Sequence, residues 1–147
     1  MKKGFTLIEL ITTIGLIAIL LGISFPTIKA FNGLKSEIEM DHAVNSIVEF
    51  INGCKSYSRS NSLSTKIKRE GNNTEISQYL GNNKIRFYSL PERIRISIFN
   101  PNTVDNAIHI DNFGVTNDAC TITLINEMEN IRSITLKVGT WYVSEKK

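Results

Sequence analysis

Between Phe5 and Phe25 the chain reads FTLIELITTIGLIAILLGISF, a run whose single charged side chain is Glu9. At about 1.5 Å per residue, such a helix is about 31 Å long, enough to cross the hydrocarbon core of a bilayer. Lys2 and Lys3 stand before it, and the next basic residue is Lys29. Basic residues ahead of an apolar span keep that end in the cytoplasm and send the rest across. A cleaved signal peptide, with Gly22 and Ser24 as small residues near the cut, and a plain signal anchor are the ordinary readings of such a run. Neither has a use for Glu9, and the run is long for a signal peptide.

A lone carboxylate in an apolar span costs about 2.5–3.5 kcal/mol at the bilayer centre and less near its edge, so it calls for a partner. Cleavage between Gly4 and Phe5 would create one, the new α-ammonium of Phe5, about 6 Å along the helix axis from Glu9. Within one chain the pair is awkward, because the amine sits at the helix tip. Between neighbouring helices slid along one another, the amine of one meets the carboxylate of the next. The buried charge then sets a register for assembly.

The segment Lys2-Lys3-Gly4-Phe5-Thr6-Leu7-Ile8-Glu9-Leu10 resembles the class III leader of type IV prepilins and of the pseudopilins of type II secretion and DNA-uptake machines. The resemblance implies that a membrane-embedded aspartyl peptidase cuts after Gly4 and methylates Phe5, and that Glu9 is the assembly carboxylate. It also implies that Pro26 stands where the family places its helix-bending proline. Independently, a proline inside a helix removes one backbone hydrogen bond and crowds the preceding turn. Ending the membrane span is the other role open to Pro26.

Beyond Pro26, apolar residues fall at Ile28, Phe31, Leu34 and Ile38, then at Val44, Ile47, Val48, Ile51 and Cys54. These helical intervals predict an amphipathic stem over residues 27–60, continuous with the membrane helix. After Asn61 the period becomes two. Strands are expected around Leu63–Ile67, Ile85–Ser89, Ile94–Ile98, Ala107–Ile110, Ala119–Ile125 and Ile131–Val143, with a weaker one over Thr74–Leu80. Turns are expected at Gly71-Asn72-Asn73, Gly81-Asn82-Asn83, Asp111–Gly114 and Glu127–Asn130. The expected class is α+β, with one antiparallel sheet covering one face of a long helix. The divisions are a leader at 1–4, a transmembrane helix at 5–26, the stem at 27–60 and a β-sheet domain at 61–147. The motifs Ile108–Gly114, Thr121–Leu124 and Ile134–Gly139, with Arg59-Ser60-Asn61 at the helix end, are similar to the minor pseudopilin H group. Some members of the wider group bind DNA through a basic motif after the last glycine. Here Thr140-Trp141-Tyr142-Val143 follows Gly139, with no arginine.

The formal charge of +3 includes Lys2 and Lys3, so a chain cut after Gly4 is nearly neutral. That balance disfavours a protein whose main task is gripping nucleic acid. Arg86, Arg93 and Arg95 with Phe87 and Tyr88 are candidates for a single-stranded DNA surface, and equally for a solvated strand face. His42 and His109 lack any catalytic signature around them, so no enzyme activity is expected. The oxygen-rich group Asp105, Asp111, Asn112, Asn117 and Asp118 does not follow an EF-hand spacing and reads as turn chemistry, so no metal or other cofactor is expected. Trp141 and Tyr142 read as packing and rim residues. Cys54 and Cys120 are open to two readings, a bridge between stem and sheet or two buried thiols. Asn72-Asn73-Thr74 has the spacing of a glycosylation sequon, to which a prokaryotic-type leader lends little weight.

The expected protein is a minor pilin-like structural subunit of a pilus, secretion or competence filament. Its expected partners are other pilin or pseudopilin subunits, the prepilin peptidase and methyltransferase, and the membrane. It would sit in the cytoplasmic membrane with its N-terminus inside and its sheet domain outside, then move into a periplasmic or extracellular filament. The alternative is a filament-tip module that captures DNA or a secreted cargo.

Overall fold

The structure, a computed structural model, describes residues 5–101, 103–139 and 143–145, apart from the side chains of 23–29, 144 and 145. Helix α1 runs Leu7–Asn61. The strands are β1 Thr65–Glu70, β2 Glu75–Leu80, β3 Asn83–Ser89, β4 Ile94–Pro101, β5 Ala107–Ile110, β6 Cys120–Asn126, β7 Ile131–Leu136 and β8 Ser144–Glu145, with a 3-10 turn at Gly71–Asn73. The fold is α+β. Contacts group the chain into two units, residues 1–36 and 37–147.

In the first unit the helix as far as Gly22 is apolar apart from Glu9, Thr12 and Thr13, and Leu10, Ile14, Ile17 and Leu21 are all exposed. Thr12 donates its hydroxyl to the Ile8 carbonyl at 2.9 Å, and Thr13 to the Leu10 carbonyl at 2.8 Å. Both hydroxyls are thus satisfied by the helix itself, as an apolar surrounding requires. Among the described residues no helix is long and apolar enough to cross a membrane. The rest of the apolar run, residues 23–25, lies outside the described side chains, as does Pro26.

In the second unit, α1 buries Met40, Ala43, Val44, Ile47, Ile51, Cys54 and Ser58, a stripe at three- and four-residue steps. The helix ends in a Schellman motif. Leu63 N–H donates to the Ser58 carbonyl at 3.0 Å and Ser62 N–H to the Arg59 carbonyl at 3.2 Å, with Ser62 at φ 52°.

The strands form two four-stranded sheets, ordered β3-β2-β1-β5 and β4-β6-β7-β8, where the sequence suggested one. The strand pairs of both sheets are antiparallel among the described residues. A period of two fixes which side chains share a face and says nothing about which strand lies alongside. Pro91, in the connection between β3 and β4, has no N–H for a ladder, and each of those strands becomes a sheet edge. The first sheet lies on the later part of the stem. Gln78 Nε2 donates to the Cys54 carbonyl at 3.3 Å, Ser58 and Thr65 share a 2.6 Å hydroxyl contact, and the Phe50 and Tyr88 rings stand 6.4 Å apart. The second sheet meets the stem through Arg132, which is paired with Glu37 at 3.7 Å and Asp41 at 3.5 Å, and through Val143 N–H donating to Asn52 at 3.3 Å.

Two local expectations change. The strand expected over Ile131–Val143 stops at Leu136. Gly139 takes a left-handed φ of 71° and donates its N–H to the Thr116 carbonyl at 3.0 Å, which turns the chain before β8. In β3, alternation places Ile85 and Phe87 on one face. In the structure Ile85 and Tyr88 are half-buried while Arg86, Phe87 and Ser89 are exposed, Phe87 at 62%. The β2–β3 register shifts between Gln78 and Tyr79, and such a bulge leaves no mark in the alternation pattern.

Candidate assembly site at the helix N-terminus

The first helical turn is closed by two side chains acting on each other. Glu9 Oε2 accepts from the Thr6 backbone N–H at 2.9 Å and from the Thr6 hydroxyl at 2.8 Å. The Glu9 N–H returns a longer bond, 3.4 Å, to Thr6 Oγ1. Since α1 begins at Leu7, Thr6 is the N-cap and Glu9 the third helical residue, the arrangement of a capping box. The sequence reading had placed Glu9 and passed over Thr6. The signal lies in the spacing Thr6-Leu7-Ile8-Glu9, and it is easily hidden because Glu9 stands out as the one charge of an apolar run while Thr6 is neutral.

The box bears on the energetics of Glu9. Within a single subunit the carboxylate is already an acceptor for two donors, which offsets part of the cost of an apolar surrounding. Both contacts go to Oε2, and among the described residues Oε1 accepts none. Phe5 precedes the box and is 84% exposed. Gly4, and with it the bond expected to be cut, lies outside the described residues.

The other candidates from the sequence separate. Cys54 and Cys120 are both free and buried, so the bridge weighed between them is not formed. Burial pushes each thiol up to about 12, and the Arg86 charge offsets this slightly at Cys54. Neutral buried thiols of this kind are unreactive.

The arginine and aromatic residues do not assemble into one surface. Arg86 reaches the helix at Gly53, where its Nη1 lies 3.5 Å from the position a Cβ would take. Tyr88 packs against the core, and Phe87 faces outward beneath the Lys84 ammonium at 4.9 Å. Arg93 sits 3.8 Å from Glu127 at an exposed edge. Trp141 and Tyr142 lie outside the described residues.

The oxygen-rich segment is engaged in local structure. Asp111 Oδ1 accepts from the Phe113 and Val115 N–H groups at 2.9 and 2.8 Å. Asp105 pairs with His109 at 2.9 Å, which holds its carboxyl below the usual range. Asp118 accepts from the His109 N–H at 3.4 Å. His42, exposed on the stem, has Ser46 Oγ at 3.4 Å from Nδ1.

Residues 1–25 match the family model of the prokaryotic N-terminal methylation motif. No curated protein and no solved structure matches the chain.

Proposed function

Because its first 25 residues carry the methylation motif typical of type IV prepilins and pseudopilins, we propose that this chain is a minor pilin-like structural subunit of a filament. That motif implies a membrane-anchored precursor, processing by a prepilin peptidase and association with other pilin subunits. In this reading the peptidase removes Met1–Gly4 and Phe5 is methylated. The apolar run from Phe5 holds the subunit in the cytoplasmic membrane as a single pass, with residues 61–147 outside. Extraction then stacks the helices into a filament core, and the two sheets supply surface and subunit order.

Glu9 carries the mechanism. It leaves the membrane as one half of a capping box and enters the filament opposite the methylated amine of a neighbour. The subunit has no catalytic task, and the minor pseudopilin H group is the branch its strand motifs resemble. The observation that carries the reading is the motif over residues 1–25 with Glu9 set within the apolar run.

Intact mass of the membrane-extracted protein tests it. The expected product lacks Met1–Gly4 and carries one added methyl on Phe5. An uncut N-terminus, or a product starting at Phe25, overturns it.

A further inference from the structure

We propose that Asn72 is an acceptor for N-linked glycosylation, with a polyprenyl-pyrophosphate-linked oligosaccharide as donor. The inference rests on the proposed function in one respect, that residues 61–147 lie outside the cytoplasmic membrane, where such donors are presented.

The sequence Asn72-Asn73-Thr74 has the acceptor spacing, which by itself marks a surface loop in an exported protein and nothing more. The structure adds where the acceptor spacing stands and how exposed it is. Gly71, Asn72 and Asn73 form the tip of the β1–β2 hairpin and all three are exposed. All three take positive φ, at 60°, 58° and 74°. Asparagine tolerates left-handed backbone, so the tip is a tight turn that keeps both amides exposed.

Among the described residues neither the Asn72 nor the Asn73 side chain makes a hydrogen bond. The exposed Asn72 carboxamide is therefore open to a transferase, which has to activate its nitrogen. Thr74, by contrast, is fixed. Its hydroxyl and its N–H both donate to the Gly71 carbonyl, the latter at 3.1 Å, and its own carbonyl accepts from Leu90 N–H at 2.8 Å. The tip also stands on a firm base, because Glu70 accepts from Tyr79, Lys84 and Ser77. Beside Asn72 lies a hollow of about 340 Å³ lined by Thr74, Arg93, Arg95 and Glu127, polar groups against which a first sugar can settle.

In the transfer, Asn72 Nδ2 bonds to the anomeric carbon of the reducing-end sugar. The bond from that carbon to the pyrophosphate oxygen breaks, and polyprenyl pyrophosphate leaves with the electron pair. One amide proton passes to a base of the transferase. Nothing is oxidised or reduced.

The test co-expresses the full chain with an oligosaccharyl transferase and its polyprenyl-pyrophosphate donor, both shown to be active on an acceptor peptide. Trypsin then releases residues 70–84 as one peptide, whose mass reads the modification, while the N-terminal peptide reads processing separately. The expected result is a saccharide on Asn72, lost entirely in Asn72→Gln and Thr74→Ala and retained in Thr74→Ser. An unmodified 70–84 peptide on a chain that starts at methylated Phe5 overturns the acceptor role and leaves the pilin reading standing. A saccharide found on a hydroxyl of that peptide, and surviving Asn72→Gln, also overturns it. An uncut N-terminus with a glycosylated Asn72 overturns the pilin reading alone.

Discussion

Gly114 lies so close to the stem that a Cβ on it would stand 2.5 Å from the Lys55 carbonyl oxygen and 3.2 Å from Arg59 Cβ. The loop that presents it is a tight turn. Asp111 N–H donates to the Val115 carbonyl at 2.9 Å and Gly114 N–H to the Asp111 carbonyl at 3.0 Å, with Gly114 at φ 78°. A side chain there meets two penalties, left-handed backbone and a backbone clash that no rotamer relieves. Gly114→Ala is expected to lower stability by about 2–3 kcal/mol. Denaturant unfolding of the detergent-solubilised chain checks this, and an unchanged midpoint contradicts the close approach.

The helix end makes the opposite forecast. Ser62 occupies the left-handed position of the Schellman motif, where glycine is the usual residue. Ser62→Gly relieves the strain while keeping both capping bonds to Ser58 and Arg59. A gain of about 1 kcal/mol is expected by the same unfolding measurement. A loss would mean that the serine hydroxyl supports the turn.

These two sites also show what was legible beforehand. The stem was readable because Val44, Ile47, Ile51 and Cys54 repeat at helical steps, and the hairpin tips because Gly71 and Gly81 punctuate them. The division into two sheets was not, since alternation assigns faces and leaves strand neighbours open. The β3 faces were hard to read for a related reason, because the register shift at Gln78/Tyr79 breaks the alternation and leaves Ile85 and Tyr88 half-buried with Arg86 and Phe87 exposed. The leader and Glu9 were legible as a motif. The Thr6 cap was legible too, from a four-residue spacing that hydrophobicity concealed.

Lys84 on β3 bridges two carboxylates, Glu70 at 3.2 Å and Glu75. The Tyr79 hydroxyl first and Lys84 next hold Glu70 below its ordinary value of 4.5, and Lys84 first and Ser77 next do the same for Glu75. A depressed carboxyl stabilises the fold at pH values above its unfolded value, and that contribution is lost as pH falls through the lower, folded value. The pairs are exposed and solvent-screened, so Lys84→Met is expected to cost only a little stability at pH 7, read as a small fall in the unfolding midpoint. The gap between wild type and variant should persist down to about pH 4.5 and close below it. A gap that stays constant through that window contradicts the ion-pair account.

Glu9 decides between a register charge and a helix cap. Glu9→Gln keeps the capping box with Thr6, because glutamine accepts in the same place, but removes the charge. Glu9→Ala removes both. If Glu9 pairs with the Phe5 amine of a neighbour, either change leaves that ammonium unpaired in an apolar bundle, at a cost of about 3–5 kcal/mol. Cleavage after Gly4 should continue in both variants, since the peptidase acts next to Gly4. The measurement is the amount of sheared filament per cell at equal membrane levels of the mature subunit. Loss of assembly in Glu9→Gln as severe as in Glu9→Ala is the predicted result. Wild-type assembly by Glu9→Gln would show that Glu9 serves only as a cap, and would contradict the register mechanism.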